Sequence, residues 1–134
     1  MVFLDSNILV YAVDPRDARK HDLAAQIVDT AIDSACARIS AQVLFEFSNI
    51  CLKKLQMPSD AVLKLLDSLS YIETVDQTPA LVIRSVEIKT LYGISLQDAM
   101  IIAAAEKARC NELLSEDLND GQLYAGVRVR NPFA

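Results

Sequence analysis

Five short runs read as strands: Met1–Asp5, Ala37–Ser40, Tyr71–Val75, Glu112–Ser115 and Val127–Arg130. Stretches of helical periodicity lie between most of them. Alternation of this kind leaves one economical solution, a parallel sheet with helices on both faces. In such sheets the ligand site lies beyond the carboxyl ends of the strands, so the residues that follow each strand carry the functional question.

Local signals set the helix boundaries. Asp5-Ser6-Asn7 follows the first strand as a helix start, and Asp14-Pro15-Arg16-Asp17 is a loop. Leu23, Ala24, Ile27, Ala31 and Ile32 recur at helical spacing between Arg19 and Asp33. Ser40 is placed to cap a helix from Ala41 to about Leu55, and Pro58 fits the first turn of another that runs to Leu69. No strand separates these two helices, which marks them as a candidate interaction surface. Thr78-Pro79 opens a further helix that Gly93 terminates, and Ser95 caps the next, ending near Arg109. The alternating Val127–Arg130 run has the pattern of an edge strand.

The longest apolar run, Ala99 to Ala105, is far short of the ~20 residues a membrane helix needs. The apolar N-terminus lacks a basic leader and carries Asp5, against a secretory signal. Cys36, Cys51 and Cys110 are odd in number and scattered among apolar neighbours, as reduced core thiols of a cytoplasmic protein. A single histidine, His21, rules out a His-rich metal site. A net charge of −5 argues against binding nucleic acid by bulk charge, but not against an enzyme that gathers acid in one pocket.

Each candidate acid has a structural explanation beside a functional one. Asp5 ends the first strand, where helix capping is worth roughly 1 kcal/mol. Glu46 shares a polar stripe with Gln42, Asn49 and Lys53, as a solvated helix face would. Asp98 stands three residues after Ser95, a capping-box position that the helix dipole favours by about 0.3–1 kcal/mol. Capping leaves unexplained why Ile101, Ile102 and Ala105 continue its face. Asp117 and Asp120 lie in a turn-rich loop, where Asp is common for local hydrogen-bonding reasons.

The combination says more than any member. Asp5 and Asp117 follow strands, while Glu46 and Asp98 stand in the first turns of helices, so all four converge at one end of the sheet. Two carboxylates about 4 Å apart repel by on the order of 4 kcal/mol at an effective dielectric near 20. A cluster of four must take up protons or bind a divalent cation. Oxygen-only ligands suit Mg²⁺ or Mn²⁺, which activate water and stabilise charge on a phosphoryl group.

Four segments in this order, FLDSNILVYA, SAQVLFEF, ISLQDAMIIAAA and LLSEDLNDGQ, resemble PIN-domain proteins, and specifically the VapC-type toxins of toxin–antitoxin pairs. The resemblance covers essentially all of residues 1–134, read as one PIN-like nuclease domain. It implies an α/β/α sandwich and a Mg²⁺- or Mn²⁺-dependent endoribonuclease whose metal-activated water leaves a 5′-phosphate and a 3′-hydroxyl. By matched position Asp5, Glu46, Asp98 and Asp117 are the catalytic, metal-binding quartet, supported by Asn7 and Ser115. Many members carry a further acid where this chain has Asn119, a place that Asp120 would have to fill. A homodimer and a cognate antitoxin that enters the acidic groove are also implied. Arg16, Arg19, Lys20 and Lys53 are the candidate contacts to the RNA backbone.

Two competing readings are weaker. A phosphoaspartate phosphatase would have Asp-x-Asp where this chain has Asp5-Ser6-Asn7, and a receiver-like domain would place a Lys after a late strand, which LLSED lacks. A catalytically inactive binding module has no reason to keep mutually repelling carboxylates.

Overall fold

The computed structural model describes all residues, 1–134. In chain order the elements are β1 (Val2–Leu4), α1 (Ser6–Val13), α2 (Ala18–Asp33), β2 (Ala37–Ser40), α3 (Ala41–Lys53) and α4 (Ser59–Leu69). They continue as β3 (Glu73–Val75), α5 (Pro79–Tyr92), α6 (Leu96–Lys107), β4 (Glu112–Leu114), β5 (Leu123–Tyr124) and β6 (Val127–Arg130).

One six-stranded sheet has the order β3-β2-β1-β4-β6-β5, parallel except for β5, which pairs antiparallel with β6. The α/β/α sandwich is therefore as expected. Alternating strand residues divide between the two layers of helix. Val2, Leu4 and Leu114 project toward α2, and α6 packs across β2, β4 and β6. A single core of 30 buried apolar residues fills the space, with α6 supplying Ala99 and every residue from Ile101 to Ala105. A helix buried on all sides needs no amphipathic stripe, which is why its sequence reads as uniformly apolar. No helix is long and apolar enough to cross a membrane.

Side-chain caps fall where expected. Ser40, Thr78 and Ser95 accept from the N–H groups of Val43, Leu81 and Asp98. Gly93 ends α5 in the left-handed region at φ 66°. Pro58 stands just outside α4, at the cap position, where its lack of an N–H costs nothing.

Two expectations need correction. Val127–Arg130 is an interior strand, because the two-residue β5 folds back over its open side. Cys36 is exposed, since it lies in the connector between α2 and β2, whereas Cys51 and Cys110 are buried.

Candidate active site

The sheet order reverses direction at β1, which has β2 on one side and β4 on the other, and both pairings are parallel. Such a switch point opens a crevice beyond the strands' carboxyl ends. Asp5 leaves β1 into it, and Ser115 and Asp117 leave β4 beside it. The Asp5 N–H still donates to the Leu114 carbonyl at 3.1 Å, so the two strand ends are clasped where the acids begin.

Asp5 is only 4% exposed. One carboxylate oxygen accepts from the Ser6 N–H at 2.7 Å and the other from the Ser115 hydroxyl at 2.7 Å. The fully buried Ser115 hydroxyl also accepts from the Asp117 N–H at 3.1 Å and from Asn7 Nδ2 at 3.4 Å. One donated and two accepted bonds exhaust what a serine oxygen can make, so Ser115 is a fixed hub. Asn7 Nδ2 also donates to Asp117 Oδ2 at 3.0 Å and orients the exposed fourth acid.

Glu46 on α3 and Asp98 in the first turn of α6 are each half-buried. Gln42, one turn before Glu46, donates to the Gln97 carbonyl at 3.1 Å and pins α3 to the start of α6. Electrostatics tie the acids into one group. Burial pushes the Asp5 carboxyl up to about 6, against the lowering by Ser115 and Ser6, and the negative charges of Asp117 and Glu46 add to the rise. Glu46 is raised first by burial and then by Asp98 and Asp117, with Ser6 and Gln42 opposing. Asp98 is raised by burial and by Asp117, with Ser95 opposing. All four acids thus lie within electrostatic reach of one another at this end of the sheet. Asp120 does not join them: its carboxylate accepts from the Asn131 N–H at 2.9 Å, holding the C-terminal segment.

Whether these residues suit a divalent cation is a question of donors. Every acid supplies oxygen only, the ligand set of Mg²⁺ and Mn²⁺. No three of them have the tight spacing of a closed cage. Mg²⁺ needs no such cage, because it is held through one or two carboxylates and keeps several of its waters. Two buried amide oxygens, Asn7 Oδ1 and Gln42 Oε1, have no hydrogen-bond partner. Buried acceptors left this way call for a donor, and water on a cation is one that fits. Gln42, read from sequence only as part of a polar stripe, therefore belongs with the site. Its spacing of one helical turn from Glu46 was the available signal.

A groove of about 370 Å³ leads away from Asn7 and Asp117 between α1 and the end of α3. Arg16 and Lys54 line its far part. Of the cations expected at the rim, Arg19 is tied to the Phe133 carbonyl at 2.8 Å and Lys20 to Glu116 at 3.0 Å. The groove is lined by Lys54 and not Lys53, a difference of one residue's rotation at the end of α3.

The comparisons with known proteins agree with this fold. The family model for the PIN domain matches residues 2–121. No curated protein matches the chain significantly in sequence. Among solved structures, a toxin–antitoxin complex from Klebsiella pneumoniae superposes with a TM-score of 0.74 at 23% identity, covering 98% of each chain. VapBC2 from Rickettsia felis, bound to a DNA fragment of its promoter, gives 0.71 at 20% identity, again covering 98% of each. VapC20 from Mycobacterium tuberculosis, a toxin that cleaves the sarcin–ricin loop, gives 0.71 at 17% identity over 87% of this chain and 92% of its own.

Proposed function

The chain belongs to the PIN domain family, and on that premise we propose that it is a divalent-metal-dependent endoribonuclease, the toxin of a toxin–antitoxin pair. The observation that carries the reading is the gathering of Asp5, Glu46, Asp98 and Asp117 at one end of the sheet, where burial first and neighbouring carboxylates second raise the proton affinity of Asp5, Glu46 and Asp98. Asp5 and Asp98 would hold a Mg²⁺ or Mn²⁺ ion, with Glu46 and Asp117 completing the pocket. Bound there, the ion would supply an activated water and neutralise charge on the phosphoryl oxygens.

The chain's own residues do the rest. Ser115 fixes the Asp5 carboxylate by a 2.7 Å hydrogen bond, and Asn7 fixes that of Asp117, so neither acid has to be ordered when substrate arrives. Asn7 Oδ1 and Gln42 Oε1 are acceptors able to orient an attacking water. Two of the structural neighbours are toxins in complex with their antitoxins, which supports a protein antitoxin as the partner here. Exposed apolar side chains on α3 and α5, among them Phe45, Ile83 and Leu91, support a homodimer.

The deciding assay is cleavage of RNA in Mn²⁺, in EDTA, and by Asp98→Asn in Mn²⁺. Cleavage is expected only in the first. Equal cleavage in all three would sink the metal-nuclease reading.

A further inference from the structure

The groove beside Asp117 does not end at Arg16 and Lys54. A second depression of about 370 Å³ begins there, lined by the same Asp14, Arg16, Lys54 and Leu55 and continuing past Pro15 to Met57. The two form one trough, with Asp117 at its head and two cations at its midpoint. Each half has the size of an ordinary small-ligand site.

Charge is partitioned along this trough. The Glu116 carboxylate is taken up by the Tyr11 hydroxyl at 2.6 Å and by Lys20 at 3.0 Å. Asp14 is taken up by Arg16, through Nε at 2.9 Å and Nη2 at 2.7 Å. That fork fixes the guanidinium and leaves Nη1 without a partner, on a side chain 65% exposed. The Lys54 ammonium makes no hydrogen bond or ion pair within the protein and sits at the C-terminal end of α3. The trough is therefore negative at Asp117 and carries a net single positive charge where Lys54 and Arg16 flank Asp14, with Lys54 and Arg16 Nη1 still free to donate. Val10, Ile50 and Leu55 supply an apolar floor between them.

We propose that this trough is the track for the single-stranded RNA next to the scissile phosphate, with Lys54 and Arg16 holding a neighbouring phosphate. Phosphate contacts of this kind fix register and carry no base preference. The proposal rests on the nuclease reading for the chemistry at the head of the trough. It explains how a chain of net charge −5 holds a polyanion: the cations that matter are two, placed beside the acids.

The test is fluorescence anisotropy of a labelled single-stranded RNA on the full Asp98→Asn chain in Mn²⁺, across a salt series, with Lys54→Gln or Arg16→Gln added. Each addition is expected to weaken binding roughly three- to tenfold for any sequence, and to flatten the slope of log affinity against log salt by about 0.7. Lys107→Gln, at the opposite end of α6, is expected to change neither. Unaltered affinity and slope in Lys54→Gln would overturn the proposal and leave the cations to a protein partner. Loss confined to Arg16→Gln would overturn it too, since that variant also strands the buried Asp14 carboxylate. The two readings fail separately. Metal-dependent cleavage by the wild type with normal RNA affinity in Lys54→Gln removes the track alone. Metal-independent cleavage removes the nuclease reading, and the anisotropy series still judges the track.

Discussion

Asp5 holds its proton more tightly in the folded chain, at about 6, than the 3.8 of an unfolded carboxyl, chiefly because it is buried. Its contribution to stability is therefore full below about pH 3.8 and is lost as pH rises through about 6. The loss is on the order of 3 kcal/mol. In EDTA, thermal unfolding should shift to lower temperature between about pH 4 and pH 7, and Asp5→Asn should flatten that dependence. Adding Mn²⁺ at pH 8 should restore the wild type and do little for the variant. A level wild-type profile from pH 4 to 7 would contradict the burial argument. Much of this chemistry was legible in the residues themselves, because Asp5 and Asp117 follow recognisable strand ends. Ser115 as hub was not. Its bond to Asp5 spans 110 positions, and nothing local to either residue announces the other.

At the scale of the element, Ser95 and Asp98 separate two roles that the sequence merges. Ser95 caps α6 by accepting the Asp98 N–H at 3.1 Å. Ser95→Ala should cost about 1 kcal/mol in urea unfolding and leave metal-dependent cleavage within a few-fold. Asp98→Asn should do the reverse, abolishing cleavage while keeping the fold. A Ser95→Ala variant as dead as Asp98→Asn would refute the division. Helix ends were legible where the chain uses the residue the geometry prefers, as at Gly93. The end of α6 falls near Arg109 as expected, although Arg109 takes the left-handed position, φ 58°, where glycine is usual, and the helix stops at Lys107. The β5–β6 hairpin was hidden by such a residue. Its two-residue loop, Ala125-Gly126, has φ 50° and 83°, a turn that favours Asn-Gly. Ala125→Asn should raise stability by roughly 0.5–1 kcal/mol, read as a higher urea midpoint at unchanged slope.

Over the whole molecule, the sheet order decides which distant residues become neighbours, and the C-terminal segment closes the structure around them. Phe133 packs edge-on against Tyr11 at 5.1 Å, its carbonyl held by Arg19, while Tyr11 holds Glu116 beside Asp117. Phe133→Ala should lower stability by about 2–4 kcal/mol in urea unfolding. A loss under 1 kcal/mol would mean that the segment only rests on the surface. The switch point at β1 also has a consequence in time. A ribosome that has made the first hundred residues has made Asp5, Glu46 and Asp98, but not the rest of the candidate site. The strand that clasps Asp5 and the serine that fixes it come later, at β4 and Ser115. Synthesis thus delivers the parts of the candidate site in a fixed order, since a truncated product ending before residue 115 carries three of the acids without the serine that fixes Asp5.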